Sequence, residues 1–167
     1  MQDNQLTQNI LQDQRPSWDE YFLLIVDAVS KRATCDRGKS GCVITKDNRI
    51  LATGYVGAPS KIKDCYQQGH LMRKTINENK EISTHCVRTV HAEQNAIAQA
   101  AKYGISVDCA TLYCTMEPCF NCAKLIVASG IIKVVCKHMY HAAKDTREIF
   151  KEAKISLNVI NQEVLSY

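Results

Sequence analysis

The chain has 167 residues, 46% hydrophobic and 23% charged, with a net charge of +4. That size and balance suit one folded domain and exclude a disordered chain or a pair of full domains. Apolar runs such as YFLLIV and LIVASGII are far too short to span a bilayer, and no basic-then-apolar leader opens the sequence, so a soluble, cytoplasmic protein with no membrane partner is expected. No run of Lys and Arg interleaved with aromatics appears, which argues against a dedicated nucleic-acid binder and leaves a small anionic substrate open.

Residues 1–15, rich in Gln, Asn and Asp, read as a disordered tail ahead of a single domain over 16–167. From Trp18 to about Arg32, Phe22, Ile25, Val26 and Val29 recur at helical spacing behind Ser17, a residue able to cap. GCVITKDNRILATGY then gives two strand-like runs around a Lys-Asp-Asn turn. Residues 58–88 are polar and irregular, and a compact domain rarely orders so long a segment without a staple. His91 to about Tyr103 reads as a helix closed by Gly104, ATLYCTM as a strand, and CFNCAKLIVASG as a helix ended by Gly130. IIKVVC, DTREIFKEAK and SLNVINQ add a strand, a helix and a strand. The order α-β-β-α-β-α-β-α-β predicts an α/β fold, a mixed five-stranded sheet with helices on both faces.

Nine cysteines without an export signal point to metal ligation or catalysis rather than to disulfides. In EPCFNC, two residues separate Cys119 from Cys122, a reach that places both sulfurs on adjacent corners of one tetrahedral metal at the start of a helix. The helix N-terminus favours their thiolates. A redox Cys-x-x-Cys needs a thioredoxin-like setting with no His-x-Glu upstream, which this sequence lacks. His91 and Glu93 open the preceding helix about 200° apart around its axis, so they divide the work between binding and chemistry. His91, Cys119 and Cys122 would hold a zinc with one position open, as a catalytic site requires. His-x-Glu followed by Pro-Cys-x-x-Cys is the signature of zinc deaminases, with the Glu as acid and base and not as ligand. ATCDRGKS, residues 33–40, imitates a phosphate-binding loop but leaves a helix and enters a strand, the reverse of the required order.

HAEQNAI with PCFNCAKLIVASGI resembles the deoxycytidylate (dCMP) deaminase family of the cytidine deaminase superfamily, over about residues 17–160, and KDNRILATGY, GAP and the late Tyr140-His141 pair match competence-associated bacterial members. The resemblance implies hydrolytic deamination of dCMP to dUMP, a three-layer α/β/α cytidine deaminase-like fold and a homo-oligomer between dimer and hexamer. It places Tyr140 beside the nucleotide and counts Asn95, of the helix motif, among the substrate-binding residues together with the Val56 position. Val56 stands where many relatives carry an Asn that meets the nucleotide. Arg37 and Lys39 could meet a phosphate or be solvated loop charges. Rival activities are deamination of cytidine, guanine or tRNA adenosine; the rival of another class is a non-catalytic zinc module serving competence or nucleic acid.

The other cysteines fall into two groups. Cys42, Cys109, Cys114 and Cys136 adjoin strand-like runs and read as buried thiols that act as small apolar residues. Cys35, Cys65 and Cys86 lie in loops with His70, which four residues separate from Cys65, a spacing usual in closed zinc sites. The resemblance implies a second, structural zinc on Cys35, Cys65, His70 and Cys86, with His85 the rival fourth ligand. Such a site would staple residues 58–88. The alternative is scattered thiols in a flexible lid.

Overall fold

The structure, a computed structural model, describes residues 14–76 and 82–165. Most of the expected tail, residues 1–13, lies outside the described residues, as do 77–81 within the polar segment. Helix α1 (Trp18–Ser30) starts where Ser17 and Glu20 cap each other reciprocally, supplying partners to amides that a helix start leaves without any. Strands β1 (Gly41–Lys46) and β2 (Arg49–Tyr55) form an antiparallel hairpin. Asp47 and Asn48 both hold positive φ in its two-residue turn, the backbone such hairpins favour and one that Asp and Asn tolerate. Then come α2 (Cys65–Gln68), β3 (Met72–Ile76), β4 (Ile82–Cys86), α3 (Ala92–Lys102), β5 (Thr111–Met116), α4 (Phe120–Ala128), β6 (Lys133–Tyr140), α5 (Lys144–Glu152) and β7 (Ser156–Leu165).

The central sheet runs β2-β1-β5-β6-β7, antiparallel through β1 and parallel from β5 to β7. Strand alternation sorts its side chains into two layers. Cys42, Ile44, Leu112, Cys114, Val134 and Cys136 pack with Ala92, Ala96, Ala123, Ile126 and Phe150 beneath α3, α4 and α5. Val43, Tyr113 and Val135 turn the other way, onto Phe22, Leu23 and Val26 of α1. Lys133 and the Tyr113 hydroxyl both reach Asp19, at 3.0 and 2.7 Å, and tie α1 across that face. The result is the expected α/β/α arrangement with a mixed five-stranded sheet.

Two expectations are corrected. The segment 58–88 is not simply irregular: it carries the short helix α2 and an antiparallel pair, β3–β4. Met72, Arg73, Lys74, Ile82 and Thr84 are exposed, so the pair lacks the one-sided apolar alternation that marks a strand in sequence. Cys109 is exposed, not buried. It occupies a positive-φ turn ahead of β5, where its amide donates to Gly130 O at 2.8 Å.

Candidate active site and metal clusters

Helices α3 and α4 point their first turns at one spot. Gly54 of β2 makes this possible on the α3 side, since a Cβ there would stand 2.2 Å from Ala92 O. His91 is the N-cap of α3, with extended backbone, and its amide donates to Gln94 Oε1 at 3.0 Å. It therefore lies outside the helical screw, and its separation from Glu93 comes from the cap rather than from a 200° step within the helix. Glu93, the second residue of the helix, is 6% exposed. Cys119 is likewise the N-cap of α4, and Cys122 lies in its first turn.

His91 Nδ1 stands 3.5 Å from Cys119 Sγ and 3.4 Å from Cys122 Sγ. A tetrahedral zinc, with bonds of about 2.0 Å to nitrogen and about 2.3 Å to sulfur, spaces its donors by about 3.5–3.8 Å. The three donors fit that ion. Among the described residues no fourth His, Cys, Asp or Glu joins this group, whose donor atoms lie within 4.8 Å of one another. Glu93 stays just outside, with Oε2 accepting from Cys122 Sγ at 3.6 Å.

The electrostatics suit the same division. The hydrogen bond from Cys122 draws the Cys119 thiol down to about 4, with His91 assisting against burial. The same bond, with burial, pushes Cys122 up. Hydrogen bonding to Cys119 raises His91 to about 8, against burial. Burial raises the Glu93 carboxyl, opposed by the His91 charge and a backbone bond. The sites thus hold a ready thiolate beside a carboxyl that keeps a proton more readily than a solvated one.

A second cluster gathers Cys35, Cys65, His70 and Cys86, again within 4.8 Å. Cys35 Sγ lies 3.6 Å from His70 Nδ1, and Cys65 Sγ 3.6 Å from Cys86 Sγ. Those sulfurs are too far apart for a disulfide and match the edges of a tetrahedral zinc. His70 Nε2 meets Asp36 Oδ1 at 3.1 Å, the outer carboxylate that a metal-binding imidazole commonly has. Burial foremost raises Cys65 to about 12. Cys86 is lowered to about 7: burial opposes, but backbone amides and His70 prevail. His85 stands outside this group.

A cavity of about 420 Å³ joins the two clusters. Its wall includes Cys35 and Cys86 of the second cluster, with Arg37 and His85, and His91 and Cys119 of the first, with Glu93 and Tyr140. Val56 is also in its wall, and its backbone is spoken for: the amide donates to Ser40 O and the carbonyl accepts from Thr34 N. Asn95 is not in the wall. Its amide donates to Tyr55 O at 2.9 Å, and its oxygen accepts from Gln99, so it joins α3 to the end of β2. Lys39 is not in the wall either. The loop 33–40 runs from α1 into β1, which leaves no helix start to receive a phosphate.

Sequence reasoning missed the carboxylate beside the Pro-Cys motif. Glu117 is 2% exposed and lines the cavity. It accepts from Arg147 Nε and Nη2 at 2.7 and 2.6 Å and from the Tyr140 amide at 2.9 Å. Thr146 Oγ1 donates to Pro118 O at 2.9 Å. Helix α5 thus fixes the backbone just before Cys119 and, through Glu117, the cavity end of β6. The only signal in sequence is an acidic residue before Pro118; its partner lies 30 residues on.

A layered α/β/α domain with a His-x-Glu helix start facing a Pro-Cys-x-x-Cys helix start defines the zinc-dependent deaminase class. Comparison with known proteins narrows it. Residues 16–138 match the family described as the cytidine and deoxycytidylate deaminase zinc-binding region, and the chain belongs to that family. It is similar to ComE operon protein 2 of Bacillus subtilis, at 35% identity over 88% of this chain and 73% of that one. It is 43% identical to the deoxycytidylate deaminase of Mycobacterium phage D29, over 72% of this chain and 94% of that one. Among solved structures, the dCMP deaminase of cyanophage S-TIM5 in complex with dCMP and dUMP aligns with a TM-score of 0.69, at 26% identity, over 87% of this chain and 98% of that one.

Proposed function

We propose that the protein deaminates dCMP hydrolytically to dUMP and ammonia. The observation that carries the proposal is the buried Glu93 carboxyl set beside a three-donor cluster in a cavity of nucleotide size. The named substrates of the relatives support dCMP in particular.

His91, Cys119 and Cys122 would hold the catalytic zinc. When bound, zinc supplies Lewis acidity that makes water nucleophilic at neutral pH. Glu93 performs the proton transfers. Its carboxylate takes the proton of the attacking water and delivers it to ring N3 as the new C4–O bond forms. The carboxylate then takes the remaining proton from the C4 hydroxyl and passes it to the amine, so that C4=O forms as the C4–N4 bond breaks and ammonia leaves. The place of Glu93 beside the three donors and in the cavity wall lets one carboxyl serve as base and then as acid.

The cavity wall supports a set of substrate contacts. Tyr140 flanks the base beside the catalytic donors, and Arg37, near the second cluster, meets the 5′-phosphate. Val56 gives the nucleotide an apolar contact, and Asn95 acts by positioning α3. Cys35, Cys65, His70 and Cys86 would hold a second, structural zinc, giving two per chain. The working protein is a cytoplasmic homo-oligomer, dimer to hexamer, with one domain over 16–167.

The test is a panel of dCMP, CMP, dCTP, deoxycytidine, cytidine and guanine offered to metal-replete protein, with ammonia release measured. Preference for dCMP is expected. Preference for an unphosphorylated nucleoside or for guanine would refute the substrate assignment, and no turnover of any would favour the non-catalytic zinc module.

A further inference from the structure

We propose that the four-donor cluster controls substrate affinity as well as stapling the fold: by gripping the 35–37 segment it holds Arg37 at the anionic end of the cavity. The inference rests on the reading of Arg37 as the phosphate contact. Three consecutive residues carry it. Cys35 is a donor of the cluster and lines the cavity. Asp36 meets the far nitrogen of His70, a second donor, at 3.1 Å. Arg37 lines the cavity and donates from Nη2 to Thr84 O at 3.2 Å.

The other side of the grip is β4. Thr84, which accepts from Arg37, lies two residues before Cys86, a third donor that also lines the cavity. The amide of Val87 donates to Leu71 O at 2.9 Å, and Arg88 Nε to Gly69 O at 3.0 Å. These bonds fasten the strand to the residues around His70. A metal on the four donors therefore fixes both backbones that orient the guanidinium. Without it, among the described residues the exposed Arg37 side chain is left with its hydrogen bond to the Thr84 carbonyl, and a long side chain so held loses its preorganisation. A phosphate, which needs an aimed cation, would feel this; the pyrimidine ring at the other end of the cavity would not.

The experiment compares Cys65→Ser with the parent, both carrying Glu93→Gln so that bound dCMP is not consumed. Cys65 is a donor outside the cavity wall. Zinc content, and calorimetric affinity for dCMP and for deoxycytidine, are read together. Expected are loss of one zinc per chain, about tenfold weaker dCMP binding and deoxycytidine binding within about twofold, the profile of a lost charge-assisted contact. Unchanged dCMP affinity with one zinc gone, or equal weakening of both ligands, overturns the inference.

Asp36→Asn keeps all four donors and guards against misfolding of the first variant. It should retain two zinc per chain and a parental melting temperature within about 2 °C, and bind dCMP about threefold more weakly. Parental dCMP affinity in that variant would also count against the coupling. In an Arg37→Gln background, Cys65→Ser should weaken dCMP no further, and an undiminished tenfold loss would show that Arg37 is not the route. Wild type that binds dCMP without turning it over would refute deamination and leave the coupling decided by these affinities.

Discussion

The two donor clusters are made of the same kinds of side chain and each puts donors into the wall of the same cavity, yet their surroundings differ. His91, Cys119 and Cys122 offer three donors, sit at two helix starts and have the buried Glu93 at their side. Cys35, Cys65, His70 and Cys86 offer four donors from separate, largely polar pieces of chain, and the carboxylate beside them, Asp36, is exposed and already bonded to His70. The difference lies less in the ligand types than in what surrounds them. A rigid scaffold that stops at three donors leaves room for chemistry; four donors drawn from weak structure close the coordination and lend that structure stability.

The sharpest way to break this contrast is at Glu93. Glu93→Gln should cut kcat by about 10⁴ while substrate affinity stays near parental, as expected when a proton carrier is lost and a binder is not; steady-state kinetics against calorimetric affinity checks it. Next in size is Cys65→Ser. It should remove one zinc and lower the melting temperature by more than about 10 °C, since a structural zinc contributes folding free energy directly. Metal analysis with differential scanning calorimetry reads both, and a parental melting curve with one zinc would reduce the second cluster to scattered thiols.

A smaller effect is expected at the frame of the three-donor site. Glu117→Gln weakens a buried carboxylate's pair with an Arg147 that is 43% exposed. Solvent around the guanidinium limits the cost to about 2 kcal/mol, or about 4–8 °C in melting temperature, with catalytic zinc retained. The smallest belongs to His85→Ala. Because His85 lies outside the four-donor group, two zinc per chain should remain and the melting temperature should move by less than about 2 °C. Loss of a zinc there would replace His70 by His85 as the fourth ligand.

Legibility in the sequence follows the range of the interactions. The hairpin, α3, α4 and α5 could be read because capping residues, turn residues and apolar spacing act within a few positions. The three-donor group was readable for the same reason, as two short motifs at helix starts. The β3–β4 pair was not, because its exposed Arg73, Lys74 and Thr84 give no one-sided pattern. Cys109 was misread since nearness to a strand says nothing about a turn that points its side chain outward. Glu117 escaped notice because what makes it important is a bond to Arg147 and a bond to the Tyr140 amide, both set by the packing of α5 against the sheet. The bond from the Asn95 side chain to Tyr55 O was not readable from its motif either, since it depends on the packing of α3 against β2.

The most direct test of two clusters with separate tasks is the zinc content of metal-replete Glu93→Ala, measured alongside its release of ammonia from dCMP. The account predicts two zinc per chain and no turnover above background. One zinc per chain, or turnover near that of the wild type, would contradict it.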